Sequence, residues 1–194
     1  MQKMLKLFRA QITFLCLLSL LTGTSWAEEL TVKIAFTFKE YYRWEGDAKE
    51  TLRHVTIREW SPYDLHPNLL DVNITIANQS KTELTHLKAV TRVIPRVGIL
   101  SEDKQFGFDI DRLHKTASWS SVYLTDESTI DSLGPGKTAV KRLNNFDLKR
   151  LLDTLFKEGK WATGLKVETI VESRNAPIVR VKKAEVLRII PPTE

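Results

Sequence analysis

The stretch Leu70–Lys81, LDVNITIANQSK, contains the clearest β-strand pattern of the sequence. Its first part alternates apolar and polar residues, which is the pattern of a β-strand with one face buried in a core. The apolar positions are Leu70, Val72, Ile74 and Ile76. The strand ends at Asn78, where the run Asn-Gln-Ser-Lys is typical of a turn. The stretch therefore predicts a half-buried strand that ends in a sharp reversal of the chain.

The residues after this turn predict a partner strand. The segment from about Leu84 to Ile94 is rich in β-forming residues. Pro95 is expected to close it, because proline has no N–H to donate to a central sheet ladder. We therefore expect the two strands to form a hairpin.

Similar patterns recur along the chain. The other candidate strands are Thr31–Phe38, Leu52–Arg58, Ala117–Thr125, Thr138–Leu143, Leu165–Glu172 and Ile178–Ile190. In the last of these, Lys183 and Glu185 break the alternation, which predicts a bulge or two shorter strands. About eight short strands separated by turn signals indicate an all-β, antiparallel β-sandwich.

One short α-helix interrupts the series of strands. The leucines at 148, 151, 152 and 155 fall on one helical face. Asn145 is expected to cap the start of the helix, and Gly159 suits its end.

The N-terminal segment has the three parts of a secretory signal peptide. A basic start precedes the apolar run Ile12–Leu21, and small residues lead up to Ala27. The apolar run is shorter than the roughly 20 residues that a membrane-spanning helix needs. We therefore predict that residues 1–27 are a cleaved signal peptide and that residues 28–194 form a single domain. The mature chain is expected to be periplasmic or secreted, without a transmembrane segment.

Composition narrows the classes of function. The chain has 194 residues, of which 29 are basic and 24 are acidic, for a formal net charge of +5. Three of the basic residues lie in the predicted signal peptide, so 26 basic residues face 24 acidic ones in the rest. This balance is not typical of a nucleic-acid-binding protein, and no nucleic-acid partner is expected. Because the one cysteine, Cys16, lies in the signal peptide, the predicted mature domain is free of cysteine.

Two stretches resemble bacterial immunoglobulin-like sandwiches of the CARDB type. They are ITIANQS at 74–80 and SLGPGKTAVKRL at 132–143. In that family, a strand ending in Asn and a polar turn is followed one or two strands later by a Leu-x-Pro-Gly turn. The resemblance covers Leu70–Leu143, and the chain departs from it in the predicted helix and in the residues before Leu70. It implies an immunoglobulin-like fold and a binding or spacer module without catalytic residues.

Motifs typical of catalysis or metal binding are not evident in the sequence. The histidines at 54, 66, 86 and 114 are scattered and lack metal-ligand spacing. The triplet Asp-Ile-Asp at 109–111 lacks the rest of a calcium loop, so we interpret it as a solvated loop. The run GPGKT at 134–138 lacks the spacing of a phosphate loop and is interpreted as a turn. We therefore predict no catalytic, metal-binding or cofactor-binding residues, no cofactor, and no enzyme activity.

The aromatic segment 39–69 contains the candidate partner-binding residues. These are Tyr42, Trp44, Trp60 and Tyr63, and charged groups lie between them. Aromatic rings among polar groups suit a protein-binding hot spot or the stacking of a saccharide, and for either role we expect Tyr42, Trp44 and Trp60 to be exposed. The same rings are also suited to capping the open end of the sandwich and filling its core.

A basic stripe is expected on the C-terminal strand, where Arg180, Lys182 and Arg188 share one phase. Such a stripe suits an anionic surface such as a phosphorylated wall polymer or lipid headgroups. Charged side chains on an edge strand also prevent edge-to-edge aggregation. Both interpretations are open at this point.

These observations lead to three hypotheses about function. The first is a non-catalytic module of the bacterial periplasm or cell envelope that binds another protein. The second is a carbohydrate- or cell-wall-binding module that stacks sugars on Tyr42, Trp44 and Trp60. The third is an enzyme whose acid and base, Asp64 and His66, meet only in the fold. We favour the first.

Overall fold

The all-β sandwich that the sequence predicts is confirmed. A computed structural model describes residues 30–42, 51–61, 70–100, 109–143, 146–173 and 180–191. The strands of these residues form two sheets that pack face to face, with strand β1 of one sheet against β9 and β10 of the other.

The elements are numbered in chain order. The strands are β1 (Leu30–Tyr42), β2 (Thr51–Ile57), β3 (Glu59–Trp60), β4 (Leu70–Asn78), β5 (Leu84–Ile99), β6 (Ser118–Trp119), β7 (Leu124–Leu133), β8 (Thr138–Arg142), β9 (Lys160–Ser173) and β10 (Arg180–Ile189). The helices of the described residues are α1 (Ile110–Thr116) and α2 (Leu148–Lys157).

The two sheets differ in size and in connection. The smaller has four strands in the order β2-β1-β4-β8. The larger has six, in the order β3-β10-β9-β5 followed by β6 and β7, which both pair with β5. Neighbouring strands of the described residues are antiparallel, except that β3 runs parallel to β10.

The core lies between the two sheets. It is built from the inward residues of both, because successive side chains of a strand point to opposite faces. Fully buried examples are Ile76, Leu87, Val93, Leu165, Val167, Val171 and Leu187. Two buried threonines, Thr91 and Thr169, lie opposite each other on β5 and β9, and their hydroxyls hydrogen-bond at 3.0 Å.

The predicted hairpin of β4 and β5 is wrong, because the two strands lie in different sheets. Asn78, at the end of β4, is fully buried. Its amide group donates to the carbonyl of Leu133 (2.7 Å) and to that of Thr82 (2.8 Å). Its Oδ1 accepts from the N–H (2.9 Å) and the hydroxyl (2.7 Å) of Ser80. These bonds direct the chain across the sandwich and tie the end of β4 to the end of β7.

Pro95 does not end the second strand, and β5 continues through it to Ile99. The carbonyl of Pro95 accepts the N–H of Ser120 at 2.9 Å, on the side of β5 away from β9. The ring nitrogen faces the same side, where β6 has already ended. The missing N–H of proline therefore costs no ladder bond.

Three other local predictions are corrected. The segment Ala117–Thr125 is not one strand, because residues 120–123 leave the sheet between β6 and β7. The Asp-Ile-Asp triplet is the start of helix α1, which was not predicted, and Asp109 caps it by accepting the N–H of Arg112 at 2.9 Å. Helix α2 is confirmed, but Asp147 caps it, and Asn145 lies outside the described residues.

Strand β10 is continuous and pairs with β9 in a single register, so the bulge expected at Lys183 and Glu185 is wrong. Both side chains are nearly half exposed, and they form an ion pair at 3.3 Å. Because β3 pairs only with Arg188 and Ile189, the rest of β10 forms the edge of the described sheet, and its inward positions there are hydrated enough to carry charges.

The role of Asn78 predicts a large cost for removing its amide donors. In Asn78→Asp, the buried carbonyl of Leu133 loses its side-chain donor and faces a carboxylate, whereas the carbonyl of the exposed Thr82 keeps the hydroxyl of Ser80 at 2.8 Å. We expect the free energy of unfolding in urea to fall by about 1–3 kcal/mol, the usual cost of one buried unsatisfied group. The matched control is Asn73→Asp on the same strand, whose amide bonds only the hydroxyl of Thr37, at 2.8 Å.

That hydroxyl can rotate and donate to a carboxylate, so the control should lose less than about 1 kcal/mol. Equal losses for the two variants would contradict the assigned role of Asn78.

Candidate binding groove

Of the four sequence-predicted binding residues, the structure describes the side chain of Trp60. Trp60 is only 1% exposed, so the expectation that its ring is on the surface is wrong. Tyr42 ends β1, and its side chain lies outside the described part of the chain. Trp44 and Tyr63 also lie outside the described residues, as do Asp64, His66 and the predicted signal peptide 1–27.

The burial of Trp60 follows from the parallel pairing of β3 with β10. Trp60 lies opposite Ile189, which occupies an inward position of β10 and is 1% exposed. The carbonyl of Trp60 accepts the N–H of Ile190 at 2.8 Å, which holds the short strand in place. The ring therefore belongs to the core, as the alternative interpretation of the aromatic segment allowed.

A groove with exposed apolar walls lies elsewhere, beside helix α2. Its volume is about 530 Å³, and it is lined by the end of β5, by Ser118 and residues 120–123, by Thr116 of α1 and by one side of α2. Three lining side chains are exposed large hydrophobic groups: Ile99 (48%), Val122 (44%) and Tyr123 (39%). The groove therefore brings together three of the exposed large hydrophobic side chains of the described residues.

Main-chain hydrogen bonds fix the segment that carries Val122 and Tyr123. The N–H of Ser120 donates to Pro95, and the N–H of Tyr123 donates to the carbonyl of Val93 at 2.8 Å. Both ends of this segment are therefore bonded to β5, and the residues between the two bonds lie outside the sheet. The groove wall is therefore anchored at both ends.

Helix α1 closes another side of the groove by packing closely on β5. A Cβ atom on Gly98 would overlap the carbonyl of Leu113 and lie 2.8 Å from Cδ1 of that residue, which is fully buried. The hydroxyl of Thr116 accepts the N–H of Ile99 (2.9 Å) and donates to the carbonyl of Arg112 (2.9 Å). Glycine at position 98 is what allows this contact.

The polar groups of the groove are mostly neutral. Hydroxyl groups of serine and threonine line it, at positions 116, 118, 120, 121 and 154. The charged lining residues, Glu158 and Lys160, form an ion pair with each other at 2.9 Å. The described residues do not contain a group of three or more His, Cys, Asp or Glu side chains that could hold a metal ion. The arrangement suits binding of an apolar group rather than proton transfer.

Trp119 lies next to the groove, on the outer face of the six-stranded sheet. Its ring is 42% exposed, and the ammonium of Lys166 lies 5.0 Å from the ring centroid. Lys166 also pairs with Glu168 at 3.1 Å. The hydrogen bond from Lys166 holds the pKa of Glu168 below its usual value, and the charge of Lys182 acts in the same direction. Glu168 is therefore a carboxylate shared by two lysines.

Sequence reasoning missed Trp119 and Tyr123 as candidate binding residues because it placed both on one strand, Ala117–Thr125. The signal that could have found them is local. The run Ser-Trp-Ser-Ser-Val-Tyr has consecutive serines and no strict alternation, which is more typical of a connection than of a half-buried strand.

In the described part of the chain, none of the helices is long and apolar enough to cross a membrane.

No protein-family model matches the chain, and no curated protein matches it. Solved structures with a similar arrangement include the C-terminal domain of Wzt, which is 6% identical in sequence and gives a TM-score of 0.38. The match covers 85% of this chain and 75% of the Wzt domain. The sporulation control protein Spo0M of Bacillus subtilis is 7% identical in sequence, with a TM-score of 0.37. The match covers 81% of this chain and 49% of Spo0M.

A CARDB domain from Pyrococcus furiosus, solved in complex with di-metal ions, is 8% identical in sequence, with a TM-score of 0.35. The match covers 84% of this chain and 90% of that domain. A CARDB domain is thus among the solved structures that the chain resembles, and the two packed sheets of the structure itself make the fold an antiparallel β-sandwich.

The contact at Gly98 predicts that a single methyl group there disturbs this side of the groove. Gly98→Ala should lower the free energy of unfolding by about 1–3 kcal/mol, the usual cost of forcing extra volume into a packed site. The control is Gly134→Ala, where a Cβ would meet only the flexible side chain of Lys137, at 3.5 Å. Urea unfolding of both variants measures the difference. Equal stability of the Gly98→Ala variant and the wild type would contradict the close packing of α1.

Proposed function

We propose that the chain is an exported, non-catalytic module that binds another protein of the bacterial periplasm or cell envelope. The observation that carries this proposal is the groove, where Ile99, Val122 and Tyr123 leave apolar surface open to water. Covering such surface is favourable by about 25 cal/mol for each Å² removed from water. A contiguous exposed apolar patch on a folded domain is typical of an interaction site.

The composition of the groove supports a protein as its occupant. Tyrosine is among the residues that contribute most to protein–protein binding energy, and Tyr123 lies on the groove wall. The neutral hydroxyl groups around the apolar side chains match the pattern of an apolar centre with a polar rim. The anchored wall at 120–123 limits the entropy lost on binding.

The export part of the proposal is supported by residues 1–27, and the cysteine-free remainder of the chain is compatible with it. A basic start, a short apolar run and small residues before Ala27 are the three parts of a secretory signal peptide. A domain without disulfides keeps its fold in either redox environment.

Export predicts a new N-terminus. When the full chain is expressed in a Gram-negative bacterium, the fraction released by osmotic shock should contain a protein that begins at Glu28. N-terminal sequencing of that fraction measures the cleavage site. A chain that keeps Met1 and stays with the cytoplasmic fraction would contradict the export part of the proposal.

Protein binding through the groove predicts a difference between two matched variants. Val122→Glu places a charge on the groove wall, and Val140→Glu places the same charge on β8, where Val140 is 64% exposed and outside the groove. Crosslinking in intact cells of the producing bacterium, followed by mass spectrometry of the purified tagged chain, measures the partners. A discrete envelope protein should be recovered with the wild type and with Val140→Glu, and it should be lost with Val122→Glu, because a buried unpaired charge is costly.

Recovery of the same protein with the wild type and with both variants would show that the partner does not bind in the groove. Recovery of no crosslinked protein with the wild type would contradict protein binding itself. The two results therefore separate an error in the location from an error in the function.

A further inference from the structure

The outer face of the six-stranded sheet carries an excess of positive charge. The face is formed by alternate residues of β5, β9 and β10, which the strand pairing places side by side. On these three strands its charged residues are seven cations, Lys88, Arg92, Arg96, Lys166, Arg180, Lys182 and Arg188, and two carboxylates, Glu168 and Glu172. The flanking strands add carboxylates to the same face: Glu127 and Asp131 on β7, and Glu59 on β3. Glu127 pairs with Lys88 at 2.7 Å and Glu59 with Arg188 at 3.8 Å, so cations still outnumber carboxylates but several of them are paired. The stripe expected on the last strand is thus one side of a wider surface, called here the basic face.

Two guanidinium groups of the basic face lack an ion-pair partner among the described residues. They belong to Arg92 and Arg96 on β5, four residues apart on the same side of the strand. Arg92 lies opposite Glu168 in the register, but that carboxylate already binds Lys166 (3.1 Å) and Lys182 (3.5 Å). The positive charge of the two arginines is therefore available to a ligand.

An aromatic ring lies among these cations. The pairing aligns Trp119, Arg96, Gly164 and Arg188 in one row across four strands. Because Gly164 has no side chain, the Trp119 indole reaches across, and its Cη2 lies 3.8 Å from where a Cβ of Gly164 would be. The ring is 42% exposed, and the Lys166 ammonium lies over it, 5.0 Å from the ring centroid. The row therefore presents a partly exposed indole ring next to the cations of the face.

We propose that the basic face binds an acidic polysaccharide, with a sugar ring on the Trp119 indole and the acidic groups of the polymer on Arg92 and Arg96. An indole offers an apolar face to the C–H groups of a sugar ring. Guanidinium groups bind carboxylates with paired, charge-assisted hydrogen bonds. This site is separate from the groove and does not depend on the protein-binding proposal.

The charges of the face favour a sparsely charged polymer over nucleic acid or a membrane. Glu168 and Glu172 lie among the cations, and each would repel a continuous row of phosphates. A polysaccharide separates its acidic groups by neutral rings, so its hydroxyl groups can donate to these carboxylates. A membrane surface would require a cluster of cations without acidic neighbours.

The test uses the purified chain and oligogalacturonate, with fully methyl-esterified oligogalacturonate of the same length as the neutral control. Tryptophan fluorescence and calorimetry measure the dissociation constant at low and high salt. Wild type should bind the acidic oligomer, more weakly as salt rises, and should bind the ester at least tenfold more weakly. Arg92→Gln/Arg96→Gln and Trp119→Ala should each weaken binding about tenfold or more.

A charge-matched control separates binding at this site from general electrostatic attraction between the polymer and a positively charged protein. Arg150→Gln/Lys157→Gln removes two exposed cations from α2, which is not part of the basic face, and should leave the affinity unchanged. Equal binding of the acid and the ester would overturn the proposal. So would equal losses in the two double variants, or tighter binding of single-stranded DNA or of phosphatidylglycerol vesicles than of the acidic oligomer.

Discussion

The hydrogen bonds of Asn78 are the constraint on which the arrangement of the sandwich depends. One buried side chain donates to two carbonyls and accepts from Ser80, and its main chain bonds to the turn before β8. Through Leu133 it joins the four-stranded sheet to the end of β7 in the six-stranded sheet. A buried amide whose donors and acceptor are all satisfied stabilises the fold and specifies one arrangement of its partners. Asparagine is required at this position because no other side chain of this length offers two donors and an acceptor.

Much of the fold follows from the sequence because period-two alternation is a local property. β1, β4 and β9 are all visible in it, and so are the four leucines of α2. The pairing of strands is not local, so the predicted hairpin of β4 and β5 was wrong: nothing in the pattern shows that the Asn78 side chain reaches Leu133. The continuation of β5 through Pro95 likewise depends on which neighbour that residue faces.

The candidate site was harder to predict than the fold, because exposure is decided by packing. Trp60 and Trp119 are both tryptophans beside polar residues in the sequence, yet one is 1% and the other 42% exposed. Trp60 is drawn inward by its position opposite Ile189 on β10. Trp119 is kept outside because it lies on the outer face, above a glycine. The chain leaves the sheet between β6 and β7, at residues 120–123, and this brings Tyr123 to the groove. The short segment 119–123 therefore supplies Trp119 to the basic face and Tyr123 to the groove.

Hydroxyl-radical footprinting of the purified chain, with the oxidation rate of each aromatic side chain measured by mass spectrometry, tests this account most directly. Its central claim is that Trp119 and Tyr123 are accessible to solvent, whereas Trp60 belongs to the core. The account predicts that Trp119 and Tyr123 are oxidised many times faster than Trp60 in the folded chain, and that the difference disappears in urea. Oxidation of Trp60 as fast as that of Trp119 under native conditions would contradict it.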